Sequence, residues 1–289
     1  MKLGVVMLTT GSRPDELARA IASVRAQRGI TPSVVVVANT EDTAAADAVA
    51  AACGEATVLR PGENIGIPAG RNLGLDALGD VEAVAFLDDD AELVDRDVLA
   101  QAAAAFTTDP QLAVVSLRLV DPITGRTERR HVPRLVVGDP SRSSWATTFL
   151  GGACVIRRRA FLDAGRLPED FFYAHEETSL AWRLIDRGWR IRYRGDLTVA
   201  HPAHPPTRHP DAHRLSMRNR VLLARMHLPT VIGVTYVTTW LCLSLLRNFA
   251  ARRELLRGLR DGWRMPVDRA PLHWHIVWRL TRYGRPPVV

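Results

Sequence analysis

Asp88, Asp89 and Asp90 are consecutive and follow directly on the apolar run Val84-Ala85-Phe86-Leu87. Adjacent carboxylates repel one another, so a strand end that carries three of them calls for a counter-charge. A hard divalent cation such as Mg2+ or Mn2+, itself in contact with phosphate oxygens, suits oxygen ligands of this kind. The plain alternative is a solvated acidic turn. His201 closes a second strand-like run, Arg190–Val199. In that position it can be a structural polar residue or a nitrogen ligand to the same ion. His204 and His209, in the Pro-rich segment that follows, are weaker candidates. Glu176 and Glu177 open a helical pattern that runs through Trp182 and Leu184 to Gly188. Acidic side chains in a first helical turn are favoured by the helix dipole, so capping alone could account for them.

These residues need a framework that gathers strand ends along one edge. Strand-length apolar runs alternate with helix-length segments through the first half. The strands are Leu3–Leu8, Ser33–Val37, Thr57–Leu59 and Ala83–Leu87; the helices are Pro14–Gln27, Thr43–Ala52 and Pro68–Leu78. Leu112–Val120 and a glycine-kinked run over Phe149–Ile156 add further strands, and Arg159–Ala164 starts another helix. This rhythm predicts a parallel sheet with helices on both faces, whose ligands sit at the carboxyl ends of the strands. Gly66, Gly70 and Gly74 recur every four residues on one helical face, which predicts close packing on the sheet and room for a phosphate at the helix start. The G-x-G-x-x-G pattern is absent, which disfavours a nicotinamide-binding domain. The polar segment 121–142 predicts a long loop of the kind that forms lids or acceptor contacts.

The composition bounds the function classes. The chain has 289 residues, 47% of them hydrophobic, and a net charge of +7. That is enough to bury a full core, and it excludes disordered, collagen-like and disulfide-stapled chains. The charge is uneven: residues 212–289 carry 14 Arg against three acidic residues, whereas residues 1–211 are net acidic. Cys53, Cys154 and Cys242 lie far apart and form no metal or disulfide pattern, as expected of reduced thiols in a cytosolic protein. The short apolar N-terminus stops at Gly11-Ser12-Arg13-Pro14 and reads as a buried first strand rather than a leader. Leu228–Leu246 holds 19 uncharged residues, followed by Arg247, Arg252, Arg253, Arg257, Arg260 and Arg264 with Trp240 and Trp263 nearby. Four threonines, Pro229 and Gly233 make it a poor membrane span, and contact in the plane of an anionic membrane surface is the favoured reading. Nucleic acid, which the net charge suggests at first sight, is disfavoured because no recognition motif accompanies the arginines.

Five motifs now stand in order. Thr9-Thr10 before Arg13-Pro14 ends the first strand, and Asn64-Ile65-Gly66-Ile67-Pro68-Ala69-Gly70-Arg71-Asn72 follows. Then come Leu87-Asp88-Asp89-Asp90, Gly151-Gly152-Ala153, and Phe171-Phe172-Tyr173-Ala174-His175-Glu176-Glu177 with Leu180 and Arg183. From about residue 3 to about residue 201 the chain resembles a family 2 glycosyltransferase of the GT-A fold, in the branch that includes bacterial rhamnosyltransferase-like enzymes.

The resemblance implies an α/β GT-A domain over 1–211, Rossmann-like and mostly parallel with helices on both faces, plus a helical basic extension over 212–289. It implies a metal-dependent, inverting transfer from a nucleoside-diphosphate sugar to a hydroxyl of a glycan or lipid-linked acceptor, in building a cell-surface polysaccharide or glycolipid. The expected location is the cytoplasm, at the inner face of the cell membrane. Asp88 and Asp90 would hold Mg2+ or Mn2+, with His201 as a further ligand. Thr9, Arg13, Asn39, Arg71, Asp88 and Asp89 would contact the sugar nucleotide. Glu177 falls at the position of the general base, where Asp is usual, and Glu176 beside it is the alternative. Ser179 stands where a further Asp is common. Ala38-Asn39-Thr40-Glu41-Asp42 lacks the usual leading Asp, which would pass base recognition to Glu41 or Asp42. A catalytically inactive sugar-nucleotide or glycan-binding module of the same fold is the competing expectation, motivated by the Glu-for-Asp and Ser-for-Asp changes.

Overall fold

A computed structural model describes residues 1–203 and 209–288. His204 therefore lies outside the described residues. One nine-stranded mixed sheet organises the chain. Its strands are β1 (Leu3–Thr9), β2 (Ser33–Ala38), β3 (Thr57–Leu59), β4 (Ala83–Asp88), β5 (Glu92–Leu93), β6 (Leu112–Val120), β7 (Ser144–Trp145), β8 (Ala153–Arg157) and β9 (Arg190–Ala200). The order is β3-β2-β1-β4-β8-β6-β9-β5, with β7 paired to β9. β3, β2, β1 and β4 run parallel, so the ends of β1, β2 and β4 lie side by side. β8 enters antiparallel between β4 and β6, and β9 lies parallel to β6.

The inner strands β1, β2, β4 and β8 are nearly continuous apolar runs because both faces of the sheet are covered there. Alternate side chains of one strand enter opposite cores: Val6 and Phe86 face one, Val5, Met7 and Leu87 the other. The second core is closed by α1 (Pro14–Arg25), α2 (Thr43–Cys53) and α4 (Val98–Thr108) through Leu17, Ile21, Val49, Leu99 and Phe106. Each such side chain, fully buried, contributes about 1.5–3 kcal/mol. The first core is covered by α3 (Gly66–Ala77), α5 (Arg158–Asp163) and α6 (Glu176–Asp186). A Cβ at Gly70 would meet Leu8, and one at Gly74 would meet Val6, so α3 packs on β1 as the glycine spacing predicts.

One element has no counterpart in the sequence reading and one expectation is corrected. The alanine-rich stretch that forms α4 carries no strong alternation, and its buried Leu99, Ala102 and Phe106 reveal the helix. The run Phe149–Ile156 is not one kinked strand: pairing begins at Ala153, and the Asp88 amide donates to the Gly152 carbonyl at 3.0 Å. Gly151 and Gly152 belong to a turn that passes too close to acidic side chains for any other residue to fit.

Residues 212–288 form α7 (Ala212–His227), α8 (Thr230–Arg247), α9 (Arg252–Arg264) and α10 (Trp274–Arg282). Val221, Leu222, Leu223, Ile276 and Leu280 join the same apolar cluster as β4, α5 and α6. α9 crosses α7 at Gly258 and Gly262, where a Cβ would meet the backbone of Arg214 and Arg218. α8 contributes little to the core, with 17% of its apolar window buried. Cys53 and Cys154 are buried free thiols, pushed up to about 11 and about 12 by burial, and Cys242 is an exposed free thiol.

Candidate active site

The carboxyl ends of β1, β2 and β4 open into a cavity of about 540 Å3. Thr9, Arg13, Asn39, Arg71, Asp88, Asp89, Asp90 and His201 all line it. Asp88 is the last residue of β4, and its carboxylate meets the His201 ring at the end of β9, Nε2 to Oδ2, at 3.9 Å. Asp90 Oδ1 lies 3.3 Å from the same nitrogen. One ligand atom from each of Asp88, Asp90 and His201 falls within 4.8 Å of the other two, which is a spacing that one ion can bridge. Two carboxylates and an imidazole suit Mn2+ at least as well as Mg2+.

The counter-charges expected of an ion are partly supplied by the chain itself. The Arg13 guanidinium donates to both Asp89 and Asp90. Thr9 Oγ donates to Asp89 Oδ2 at 2.6 Å and accepts from the Gly11 amide. Arg71, almost fully buried, donates from Nη2 to Asp88 at 3.1 Å and from Nη1 to Glu176 at 3.5 Å. Burial lowers the Arg71 pKa, but Asp88, Glu176 and Glu177 together outweigh it and the net shift is upward. Arg71 is thus a fixed cation joining the aspartate cluster to the glutamate pair.

The two glutamates differ. Glu176 is 1% exposed, and its Oε2 has no hydrogen-bond partner. Burial, followed by the neighbouring Glu177 charge, pushes its carboxyl up to about 8, so it holds a proton at neutral pH. Glu177 is half-buried, and burial also raises its pKa against the pull of Arg71. A Cβ at Gly151 would lie 2.6 Å from Glu177 Oε1, and one at Gly152 would fall on the Asp88 carboxylate. The glycine turn therefore lies directly across both acids. Neither glutamate lines the main cavity.

Several expectations change in detail. Asn39 lines the cavity, yet its amide is engaged with Asn64 Oδ1 at 2.9 Å and its Oδ1 accepts from the Ile65 amide at 2.9 Å. The Gly66 amide donates to Asn64 Oδ1 and the Ile67 amide to the Phe172 carbonyl, so the start of α3 offers no free amide to a phosphate. Asp42 caps α2 by accepting from the Ala44 and Ala45 amides, and neither it nor Glu41 reaches the cavity. Ser179 Oγ is hydrogen-bonded to His227 Nε2 at 2.8 Å in the core and has no place in an acceptor site.

Sequence reasoning missed Arg130 and His131, and it did not foresee that Tyr173 would pair with His209. Arg130 and His131, from a short 3-10 turn in the 121–142 loop, line the cavity, with His131 6.0 Å from His201 between ring centroids. Tyr173 and His209 stack at 4.8 Å and form another wall. The loop leading into α6 has positive φ at Phe172, Ala174 and His175, a conformation that costs non-glycine residues about 1–3 kcal/mol each. Asn219 on α7, fully buried, holds it there: its Nδ2 donates to the carbonyls of Phe171, Tyr173 and Ala174 at 2.9, 2.8 and 2.8 Å. No local pattern marks that residue, because its partners lie 45 to 48 positions away.

Residues 5–165 match the profile described as glycosyl transferase family 2. The chain belongs to this family. Within it, the pre-mycofactocin glycosyltransferases of two Mycobacterium tuberculosis strains, CDC 1551 / Oshkosh and H37Rv, are 32% identical over 164 residues. The match covers 54% of this family 2 chain and 34% of theirs, so the alignment spans about a third of those relatives. Solved structures share the fold at low identity. A mannosyltransferase from Pyrobaculum calidifontis, in complex with GDP-Man and Mn2+, is 19% identical with a TM-score of 0.58, covering 98% of this chain and 72% of that one. Residues 1–349 of S. aureus TarS give 0.62 at 17% identity, covering 91% and 80%. GalNAc-T7 with UDP, GalNAc and Mn2+ gives 0.62 at 14% identity, covering 90% and 55%.

Proposed function

We propose that this glycosyltransferase moves a sugar from a nucleoside diphosphate to a hydroxyl of a glycan or lipid-linked acceptor, inverting the anomeric carbon. The observation that carries this reading is the chain of contacts from His201 through Asp90 and Asp88 to Arg71 and the glutamate pair. Asp88, Asp90 and His201 would hold Mn2+ or Mg2+, which offsets charge on the leaving diphosphate when bound. Arg13 and Thr9 fix the aspartates, and Arg71 keeps Asp88 at a set distance from the acids of α6. Glu177, half-buried and with its basicity raised by burial, is suited to take the acceptor hydroxyl proton. The acceptor oxygen then bonds to the anomeric carbon as the bond to the diphosphate breaks on the opposite face. Glu176, protonated behind Arg71, is a positioning residue. Relatives solved with GDP-Man, or with UDP, GalNAc and Mn2+, support a nucleotide-linked donor. The rhamnosyltransferase-like branch and a role in cell-surface polysaccharide or glycolipid synthesis rest on the sequence resemblance.

A screen of UDP-, dTDP- and GDP-sugars by thermal shift, with and without Mn2+, tests the donor site. A shift that requires both nucleotide and metal is expected, and no shift with any donor overturns it. Donor binding without turnover across a broad acceptor panel would make the chain an inactive module instead.

The reading includes work at an anionic membrane surface on the cytoplasmic side. α8 is 18 residues long with a mean hydropathy of 1.3, and Val231, Val234, Leu246 and Phe249 around it are exposed. Trp274 and Trp278 stand one turn apart on α10, 57% and 70% exposed, while Ile276 and Leu280 face the core. Exposed tryptophans beside arginines suit a headgroup layer. Co-sedimentation with vesicles should require anionic lipid and weaken with salt.

A further inference from the structure

A second, small cavity of about 40 Å3 lies between the first turns of α6 and the face of α8. Two arginines enter it, Arg220 from α7 and Arg285 from the turn after α10. Arg220 Cζ lies over the Trp240 ring, 3.5 Å from its centroid, and the guanidinium donates to the Tyr236 hydroxyl at 3.2 Å. Among the described residues no carboxylate lines the cavity, and neither arginine forms an ion pair. Elsewhere the buried or half-buried guanidiniums of the site, Arg13 and Arg71, each face two acids. Trp240 Nε1 is buried with no hydrogen-bond partner, and the hydroxyls of Thr147, Thr148 and Thr178 complete the wall. The lining is thus rich in donors and holds two guanidiniums that, among the described residues, face no carboxylate. Burial lowers the pKa of both arginines and their mutual repulsion adds to it for Arg220, so the arrangement is unfavourable until an anion enters.

We propose that this cavity binds a phosphate group, and that the group belongs to the acceptor. Two guanidinium forks with an indole N–H and hydroxyls offer more donors than a carboxylate can accept, and their double charge matches a phosphate monoester. The position links it to the reaction. Thr178 follows Glu177 directly, and its Oγ lies 3.4 Å from that of Thr148, which precedes the Gly151–Gly152 turn. A phosphate held there sits beside the α6 turn that carries the proposed base, with the apolar α8 alongside for a hydrocarbon chain. The assignment of the phosphate to an acceptor rests on the proposed function; the anion site itself does not.

The test uses the full chain and three probes: inorganic phosphate, a soluble alkyl monophosphate, and phosphatidylcholine vesicles containing phosphatidylglycerol. Saturable binding of the two soluble phosphates is expected by calorimetry, weakened about tenfold or more by Arg285→Gln, which removes a charged donor. Arg285 lies in the turn after α10, outside the sheet and the apolar core, so the substitution should leave the fold in place. Trp240→Phe, which keeps an aromatic face but removes the N–H and shrinks the ring system, provides a milder second variant with the same direction. Asp90→Asn should leave phosphate binding intact, which separates this cavity from the donor site. Tighter binding of the alkyl phosphate than of inorganic phosphate assigns a lipid-linked source, and equal binding assigns a water-soluble one; both support the site. Equal affinity in wild type and Arg285→Gln, competition by free nucleotide, or binding to the vesicles alone overturns it. If no nucleotide sugar binds but the Arg285-dependent phosphate signal persists, the anion site stands and the donor reading falls.

Discussion

Asn219 makes one amide group serve three carbonyls of a loop whose backbone is strained at Phe172, Ala174 and His175. Its substitution should release that loop rather than merely open a cavity. Asn219→Ala is expected to cost about 2 kcal/mol, from carbonyls left without donors, and to lower kcat more than donor affinity. Asn219→Asp should be worse, because a carboxylate would face the same three oxygens. Urea unfolding and steady-state kinetics of both variants check the order. At the same scale, the two glutamates separate by their surroundings. Glu177→Gln should lose most turnover while donor binding persists, whereas Glu176→Gln, which keeps a neutral side chain beside Arg71, should retain much of it. Equal losses in the two would assign the base to neither.

At the scale of elements, the glycine turn before β8 is the tightest approach in the site. Gly152→Ala would drive its Cβ onto the Asp88 carboxylate, with the sheet otherwise untouched. The expected result is a folded protein whose metal-dependent donor shift is lost, seen by circular dichroism and thermal shift together. Elements were legible in the sequence to the extent that their signal is local. β1, β2 and β4 are unbroken apolar runs, β9 alternates buried apolar with polar residues, and the aspartates and His201 do stand at the ends of β4 and β9. α4 was not legible, because alanine serves a buried helix face as well as an exposed one. The partners of the acids were not legible either. Arg13 reaches Asp90 across 77 positions and Arg71 reaches Glu176 across 105, and only the folded sheet sets which strand ends meet. The counter-charge that three carboxylates call for is thus supplied in part by two arginines of the chain itself.

For the whole molecule, these arginines predict that chelation leaves the fold standing. EDTA should abolish the donor-dependent shift while moving the Tm of the free protein by only a few degrees. Stability should also peak near pH 6.5 in metal-free buffer. Burial pushes His175 well down, His227 to about 3 and His131 to about 4, all from an ordinary value of 6.5. Below that value the unfolded chain binds protons that the fold refuses, so stability falls with acid. Glu176 acts in the opposite sense, since its carboxyl stays protonated in the fold up to about 8 while the unfolded chain releases that proton near 4.5. Its contribution is complete at low pH and is lost as pH rises through 8. Each uncompensated proton tilts stability by about 1.4 kcal/mol per pH unit. Urea midpoints between pH 5 and 8.5 should show both limbs, and Glu176→Gln should flatten the alkaline one.

The helix that supplies Asn219 and Ser216 to the loop before α6 also begins the arginine-rich C-terminal stretch. On the proposed reading of that stretch as a membrane contact, address and chemistry share one helix in this chain. A hybrid that joined residues 1–211 to another protein's tail, in order to send the reaction to a different surface, would arrive without the amide that shapes its own catalytic loop. Any exchange of tails among such enzymes, in the laboratory or in descent, has to bring a replacement for that asparagine with it.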